Sequence, residues 1–153
     1  MLLLAFETSA KAASVALSDG EKLLAESYQN TGLTHSQTLM SMAETLIESC
    51  GYTPQDIQAV AVAAGPGSFT GVRIGVAAAK GFAWGRELPC YGVSTLEAMA
   101  LQAGVWQGYI LPVMDARREQ VYNALFHARD GKTERLCPER AISLQELGEE
   151  IKN

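Results

Sequence analysis

The stretch from Ala64 to Gly75 constrains the fold of this chain more than any other. It reads AGPGSFTGVRIG and lies between a short apolar run, Ala59 to Ala63, and a long run of small and branched residues that reaches Gly85. The first run has the length of a buried strand, and the second is too long for one strand, so together they predict a strand, a tight turn and a helix. Gly-Pro-Gly permits the turn, because proline fixes φ and glycine accepts angles that other residues resist.

Two interpretations of this turn stay open. Ser68 or Thr70 can cap the helix, and the backbone N–H groups that converge at a helix start can bind an anion. An ordinary structural connection between a strand and a helix explains the pattern equally well. The glycines match neither the Walker phosphate loop nor the dinucleotide-binding fingerprint in their spacing.

The glycines continue into the helix with a regular spacing. Gly67, Gly71 and Gly75 recur every fourth residue, and Ala79 extends the row. This spacing places them on one stripe with no bulky side chain to hold a neighbour away. A glycine inside a helix costs up to about 1 kcal/mol relative to alanine, so close packing against another helix is expected to offset that cost.

Length and composition bound the class of protein. The 153 residues suit one domain, or one domain and part of another, and 48% apolar with 19% charged residues argues against disorder. The formal net charge of −5 gives no sign of the basic stripe that grips nucleic acid unaided. Three widely spaced cysteines form neither a disulfide framework nor a zinc pattern. With Glu7 interrupting the apolar N-terminus, and Arg73 and Lys80 in the long helix, we expect a soluble cytoplasmic protein.

The chain order predicts an α/β architecture. Strands are expected at Leu2–Thr8, Ala12–Leu17 and Lys22–Tyr28, followed by a helix that Thr34 caps and that reaches about Glu48. The strand at Ala59, the signature helix, a strand at Cys90–Val93 and a helix from Ser94 to Ala103 follow. After Gly104, a hairpin of Tyr109–Met114 and Gln120–His127 restarts the strand pattern, and Ser143 with Glu146 forms a capping box for a last helix.

These residues carry a resemblance to a known family. The run Gly-Pro-Gly-Ser-Phe-Thr-Gly-Val-Arg-Ile-Gly resembles the signature of the TsaB (YeaZ) family, once called glycoprotease-like. Three further places agree in family order, and the matches cover most of the chain; they are Leu3–Leu17, Leu88–Leu96 and the Asp115-Ala116-Arg117-Arg118 motif with Val121-Tyr122.

The resemblance implies a fold, a division into domains and a set of partners. It implies the actin/Hsp70/sugar-kinase (ASKHA, ribonuclease H-like) fold, a mixed sheet of a three-strand meander and parallel strands flanked by helices. Residues 1–104 would form a first such domain and residues 105–153 the start of a truncated second one. By resemblance, the chain is a non-catalytic dimerization subunit that TsaD and the ATPase TsaE require to threonylcarbamoylate the adenosine beside the anticodon in tRNAs reading A-starting codons.

The resemblance also gives an expected docking face. Residues 34–50 and 71–85 would present it to TsaD or, when the chain is alone, to a second copy in a two-fold homodimer. The interface residues we expect are Leu39, Met40, Ala43, Gly71, Val72, Arg73, Gly75, Val76 and Ala79. Gly75→Leu is then expected to abolish dimers while the monomer stays folded.

Catalytic chemistry of the related enzymes is missing at the corresponding positions. The ATP-using relatives of the fold have an aspartate and a glycine-rich turn, where this chain has Glu7 and the hydroxyl-bearing Thr8 and Ser9. Thr95 and Met99 stand where TsaD carries two metal-binding histidines. We therefore expect no cofactor on this chain alone, with ATP used by the complex, and tRNA contacted mainly through the complex.

Some positions keep two interpretations. Thr8, Ser9, Gly67, Ser68, Arg117 and Arg118 are candidate contacts for an anion or nucleotide, although an ordinary turn explains the first two and an ion pair of Asp115 across its hairpin explains the arginines. Two other classes of function also stay open. One is a metal- or ATP-dependent enzyme of the glycoprotease or sugar-kinase type, and the other is an interaction module unrelated to tRNA.

Overall fold

The computed structural model describes residues 1–32 and 35–152, which form two compact units, residues 1–93 and the residues from Ser94 onward. The sequence places the domain boundary later, at Gly104. The division falls earlier because the helix that begins at Thr95 contributes Leu96 and Ala100 to the core of the second unit. Within the described residues, no helix is long and apolar enough to cross a membrane.

The first unit is a five-stranded sheet with two helices. The elements are β1 (Leu2–Glu7), β2 (Ala13–Asp19), β3 (Lys22–Gln29), α1 (His35–Ser49), a 3₁₀ turn (Pro54–Asp56), β4 (Ala59–Gly65), α2 (Phe69–Trp84) and β5 (Cys90–Ser94). The strand order is β3-β2-β1-β4-β5; β1–β3 form an antiparallel meander, and β4 runs parallel to β1. The predicted α/β class, mixed sheet and element order are confirmed.

Alternation along the strands explains the position of the core. In β1, Leu2, Leu4 and Phe6 are buried while the residues between them are half-buried, as expected when one face of a sheet packs against helices. The helix α1 covers that core with side chains at helical spacing, namely Leu39, Met42, Ala43, Leu46 and Ile47. The predicted cap at Thr34 lies outside the described residues.

The second unit contains two small antiparallel sheets. Its elements are α3 (Thr95–Leu101), β6 (Gly108–Ile110), β7 (Val113–Arg117), β8 (Gln120–Asn123), β9 (Phe126–Arg129), β10 (Lys132–Arg135), β11 (Arg140–Ser143) and α4 (Leu144–Lys152). The sheets have the orders β10-β9-β6 and β11-β8-β7. The predicted hairpin is present, but each of its strands is split in two, with breaks at residues 111–112 and 124–125. Ser143 caps α4 by accepting a hydrogen bond from the amide of Glu146 at 3.1 Å.

Candidate functional site: the signature turn and the groove between α1 and α2

The signature turn packs directly on the loop that follows β1. The amide of Ser68 donates to the carbonyl of Ser9 at 2.7 Å, and the hydroxyl of Ser68 accepts from the amide of Gly71 at 3.3 Å, which confirms Ser68 as the helix cap. A Cβ on Gly67 would lie 2.6 Å from the Ser9 carbonyl oxygen. Only glycine therefore permits this contact between the two turns.

The glycine stripe continues this contact along α2. A Cβ on Gly71 would lie 2.0 Å from the carbonyl oxygen of Thr8, and a Cβ on Gly75 would lie 2.3 Å from the Thr8 hydroxyl. That hydroxyl donates to the carbonyl of Gly71 at 2.7 Å in a fully buried position. The neighbour that approaches the stripe is therefore Thr8, the residue that follows β1 in the same chain, whereas the sequence interpretation assigned it to a helix of another subunit.

This placement corrects part of the expected interface. Five of the nine expected residues are buried within the first unit and present no surface to a partner: Leu39, Ala43, Gly71, Gly75 and Ala79. The expectation that Gly75→Leu leaves the monomer folded is likewise wrong on geometry, since the new side chain would overlap Thr8. Met40, Val72 and Val76 are half-buried, and Arg73 is exposed with its guanidinium 5.0 Å from the Phe69 ring centroid.

The candidate anion contacts belong to two different units. Thr8 and Ser9 are buried, and the Glu7 carboxylate accepts a hydrogen bond from the Ser9 amide, so the polar groups of this turn bind one another. Arg117 and Arg118 belong to the second unit and are exposed. The Asp115 carboxylate was expected to form an ion pair across its hairpin. Among the described residues, it instead accepts a hydrogen bond from the backbone amide of Arg117 at 2.7 Å.

A groove lies between α1 and α2 in the first unit. It has a volume of about 370 Å³ and is lined by Met40, Glu44, Pro54, Ala78, Gly81, Phe82 and Arg86. The guanidinium of Arg86 lies 4.2 Å from the ring centroid of Phe82 and donates to its carbonyl at 3.1 Å, so Arg86 and Glu44 are two charged residues in an otherwise apolar lining. Of these lining residues the sequence analysis names Met40 as an interface residue and misses the others, although Ala78 and Gly81 continue the run of small side chains.

Apolar side chains are exposed on α2. Phe69 and Trp84, at the two ends of the helix, are 74% and 87% exposed, and Ala77 between them is also exposed. The opposite side of the helix is buried against the sheet. The exposed side of α2 also carries three polar residues, Thr70, Arg73 and Lys80. Two large aromatic side chains in solvent on one helix are nonetheless unusual, and they favour a helix whose apolar exposed part is covered in its working state.

His35 and Thr95 lie at positions where a metal-binding role was considered from the residue type or from the resemblance to TsaD. Nε2 of His35 lies 3.0 Å from the carbonyl oxygen of Ala10. Thr95 is buried, and among the described residues its hydroxyl has no hydrogen-bond partner. Residues 1–32 and 35–152 contain no group of three or more His, Cys, Asp or Glu side chains that could hold a metal ion.

Comparison with known proteins assigns this architecture to a class. The family model described as TsaD, tRNA N6-adenosine threonylcarbamoyltransferase, matches residues 26–150. A crystal structure of a Pseudomonas aeruginosa protein described as similar to the peptidase YeaZ superposes with a TM-score of 0.84 at 29% identity, over 93% of this chain and 66% of that one. The chain has the actin/Hsp70/sugar-kinase (ASKHA) fold that the sequence predicts.

Curated relatives narrow the class to one family. The chain is 38% identical over 152 residues to the tRNA threonylcarbamoyladenosine biosynthesis protein TsaB of Bacillus subtilis, covering 99% of this chain and 66% of the relative. It is 40% identical over 126 residues to TsaB of Escherichia coli, covering 80% of this chain and 53% of that protein. The chain belongs to the TsaB (YeaZ) family, and it spans between about half and two thirds of the length of these relatives.

Proposed function

We propose that this chain is a non-catalytic scaffold subunit for the synthesis of threonylcarbamoyladenosine in tRNA. Its partners are a TsaD-type catalytic subunit and a TsaE-type ATPase, in the cytoplasm; the ATP is consumed by the complex, and tRNA is held mainly through the other subunits. The names of the TsaB relatives support the process, and the apolar exposed side of α2 beside the α1–α2 groove supports the scaffold role.

The docking surface in this proposal is a set of mainly apolar residues that are exposed or half-buried on the two helices, with the charged Glu44 and Lys80 exposed on the same helices. It comprises Met40, Phe69, Arg73, Val76, Ala77, Ala78, Gly81 and Trp84. These residues combine apolar area with few charges, which is the composition of a buried interface core, and the aromatic residues at both ends of α2 are anchors of the kind that dominate binding energy. Without the catalytic partner, the same surface pairs with itself in a two-fold dimer.

The signature turn supports a scaffold over a nucleotide site. In this chain the hydroxyl of Ser68 caps α2, the carbonyl of Ser9 accepts the Ser68 amide, and Thr8 is fully buried. A phosphate that approached here would have to displace these hydrogen bonds. The polar groups of the turn thus join the end of the first strand region to α2, and this contact positions the exposed side of the helix.

Depletion of the protein tests the process directly. Nucleosides from digested tRNA are quantified by mass spectrometry before and after depletion, and we expect threonylcarbamoyladenosine to fall while other modified nucleosides keep their levels. Unchanged threonylcarbamoyladenosine would refute the proposed process. Stoichiometric binding of a metal or nucleotide to the isolated chain would refute the non-catalytic role and favour the enzyme alternative.

A further inference from the structure

The hairpin turn between β7 and β8 has an unusual backbone conformation. Arg117, Arg118 and Glu119 follow one another with φ values of 65°, 52° and 59°. Positive φ is uncommon for any residue with a Cβ, and three such residues in succession are rarer still. Strained backbone of this kind persists where surrounding structure holds it, and it concentrates at binding sites.

Another hairpin in the same unit shows what the turn would ordinarily contain. Asp130 and Gly131 connect β9 to β10 with φ values of 52° and 73°. Asp-Gly is a common residue pair for a two-residue turn with positive φ at both positions. The β7–β8 turn adopts the same signs of φ with Arg118 and Glu119, so its residues are not explained by turn geometry.

The side chains of the two arginines are also exceptional in this protein. The chain has seven arginines, and five of them contact a ring or a carboxylate within the chain: Arg73, Arg86, Arg129, Arg135 and Arg140. Arg117 and Arg118 are exposed, and within residues 1–32 and 35–152 neither forms an ion pair or stacks on a ring. Two adjacent guanidinium groups are therefore left for a ligand outside the chain.

The turn is held in place from both sides. The carboxylate of Asp115 accepts from the amide of Arg117 at 2.7 Å, and the carbonyl of Glu119 accepts from the amide of Leu144, the first residue of α4, at 2.9 Å. These bonds fix the backbone beneath the arginines before any ligand arrives. A fixed backbone lowers the entropy lost on binding.

We propose that Arg117 and Arg118 bind consecutive phosphates of an RNA strand. Arginine matches phosphate oxygens with two parallel hydrogen bonds, and phosphate contacts position an RNA without reading its sequence. A single protein carboxylate needs only one such fork, whereas a phosphodiester chain offers a row of anions to two neighbouring arginines. With a net charge of −5, the chain attracts RNA locally at such a turn and not over its whole surface. The choice of RNA rests on the proposed function, which places the chain beside tRNA.

Binding of a fluorescent tRNA anticodon stem-loop to the whole chain, followed by anisotropy at several salt concentrations, tests this proposal. Arg117→Gln with Arg118→Gln should weaken binding roughly 100-fold at about 50 mM salt and lower the slope of log K against log salt by about 1.5 to 2. The control is Arg129→Gln with Lys132→Gln, which removes the same charge from two exposed residues paired across β9 and β10. This control should change affinity less than about threefold if the arginine turn is the site.

Three results would overturn the proposal. They are no RNA binding by the native chain at that salt concentration, RNA binding that survives loss of both turn arginines, and an equal loss in the two double variants. Polyglutamate serves as a second probe. If loss of the turn arginines abolishes polyglutamate binding and leaves RNA binding intact, the ligand of the turn is an acidic protein. Circular dichroism of both variants checks that they are folded. If depletion leaves threonylcarbamoyladenosine unchanged, the proposed function fails, yet RNA binding at this turn is measured independently.

Discussion

Replacing Gly71 by alanine tests why the signature needs glycine at this position. The added methyl would lie 2.0 Å from the Thr8 carbonyl oxygen and 3.2 Å from its carbonyl carbon. These are backbone atoms at the end of β1, so they cannot swing aside as the tip of a flexible side chain can. Either α2 moves away from β1 or the end of the strand shifts, and both responses disturb the buried hydrogen bond from the Thr8 hydroxyl to the Gly71 carbonyl.

The expected size of the effect follows from three contributions. Overpacking a tight contact costs about 1–3 kcal/mol, and the disturbed buried hydrogen bond about 1 kcal/mol. Alanine recovers up to about 1 kcal/mol through its higher helix propensity. We therefore expect Gly71→Ala to lower the free energy of unfolding by about 2 kcal/mol. Urea denaturation followed by circular dichroism measures this difference.

Gly81→Ala in the same helix is the matched control. A Cβ at Gly81 meets no atom within 4 Å, so this variant should gain about 0.5–1 kcal/mol from helix propensity alone. The two variants should thus shift the free energy of unfolding in opposite directions and differ from each other by about 3 kcal/mol. A Gly71→Ala protein as stable as the native chain would refute the packing account of the glycine stripe.

Three further predictions concern other parts of the chain. Glu119→Gly places glycine at a φ of 59° and should raise the free energy of unfolding, measured by urea denaturation, by about 0.5–1 kcal/mol. RNA binding by the native arginines should be kept. A loss of stability would argue against strain at this turn. The hydroxyl and amide of Thr53 both donate to the Asp56 carboxylate and lower its pKa. In acid titrations, the native chain should therefore be more stable than Asp56→Asn at neutral pH and lose this advantage as the pH falls below about 4. A stability advantage that is independent of pH would contradict this. Arg140→Met removes the hydrogen-bond donor to Oδ1 of the fully buried Asn123 and the ion pair with Glu150. It should lower the free energy of unfolding, measured by thermal denaturation, by about 1–3 kcal/mol. A smaller loss than that of Glu150→Gln would show that Asn123 has another hydrogen-bond donor.

The elements that follow from local chemistry were predictable from the sequence. Gly-Pro-Gly followed by Ser68 gives the strand end, the turn and the capped helix, because backbone freedom and side-chain capping are properties of adjacent residues. The meander β1–β3 follows from alternation and the Asp19-Gly20 turn. The family resemblance depended on the same local runs, and the comparisons confirm it.

The partner of the glycine stripe could not be found in this way. Four-residue spacing shows that something approaches α2 closely, but it does not distinguish a helix of another subunit from Thr8, which is 63 residues away from Gly71 along the chain. The boundary predicted after Gly104 leaves α3 with the first unit for a similar reason, since the contact of Leu96 with the core of the second unit depends on residues far along the sequence. The strained φ values at Arg117–Glu119 carry no sequence signal, because arginine and glutamate are not turn residues.

Co-purification with a TsaD-type subunit tests the central claim, that the surface of α1 and α2 is a docking site. Gly81→Glu and Gly81→Ala are compared with the native chain, because position 81 lines the groove and has room for a side chain within its own fold. The account predicts that Gly81→Ala retains the partner and that Gly81→Glu, which puts a further charge into a groove with a largely apolar lining, loses it while staying folded. Equal recovery of the partner with both variants would contradict the account.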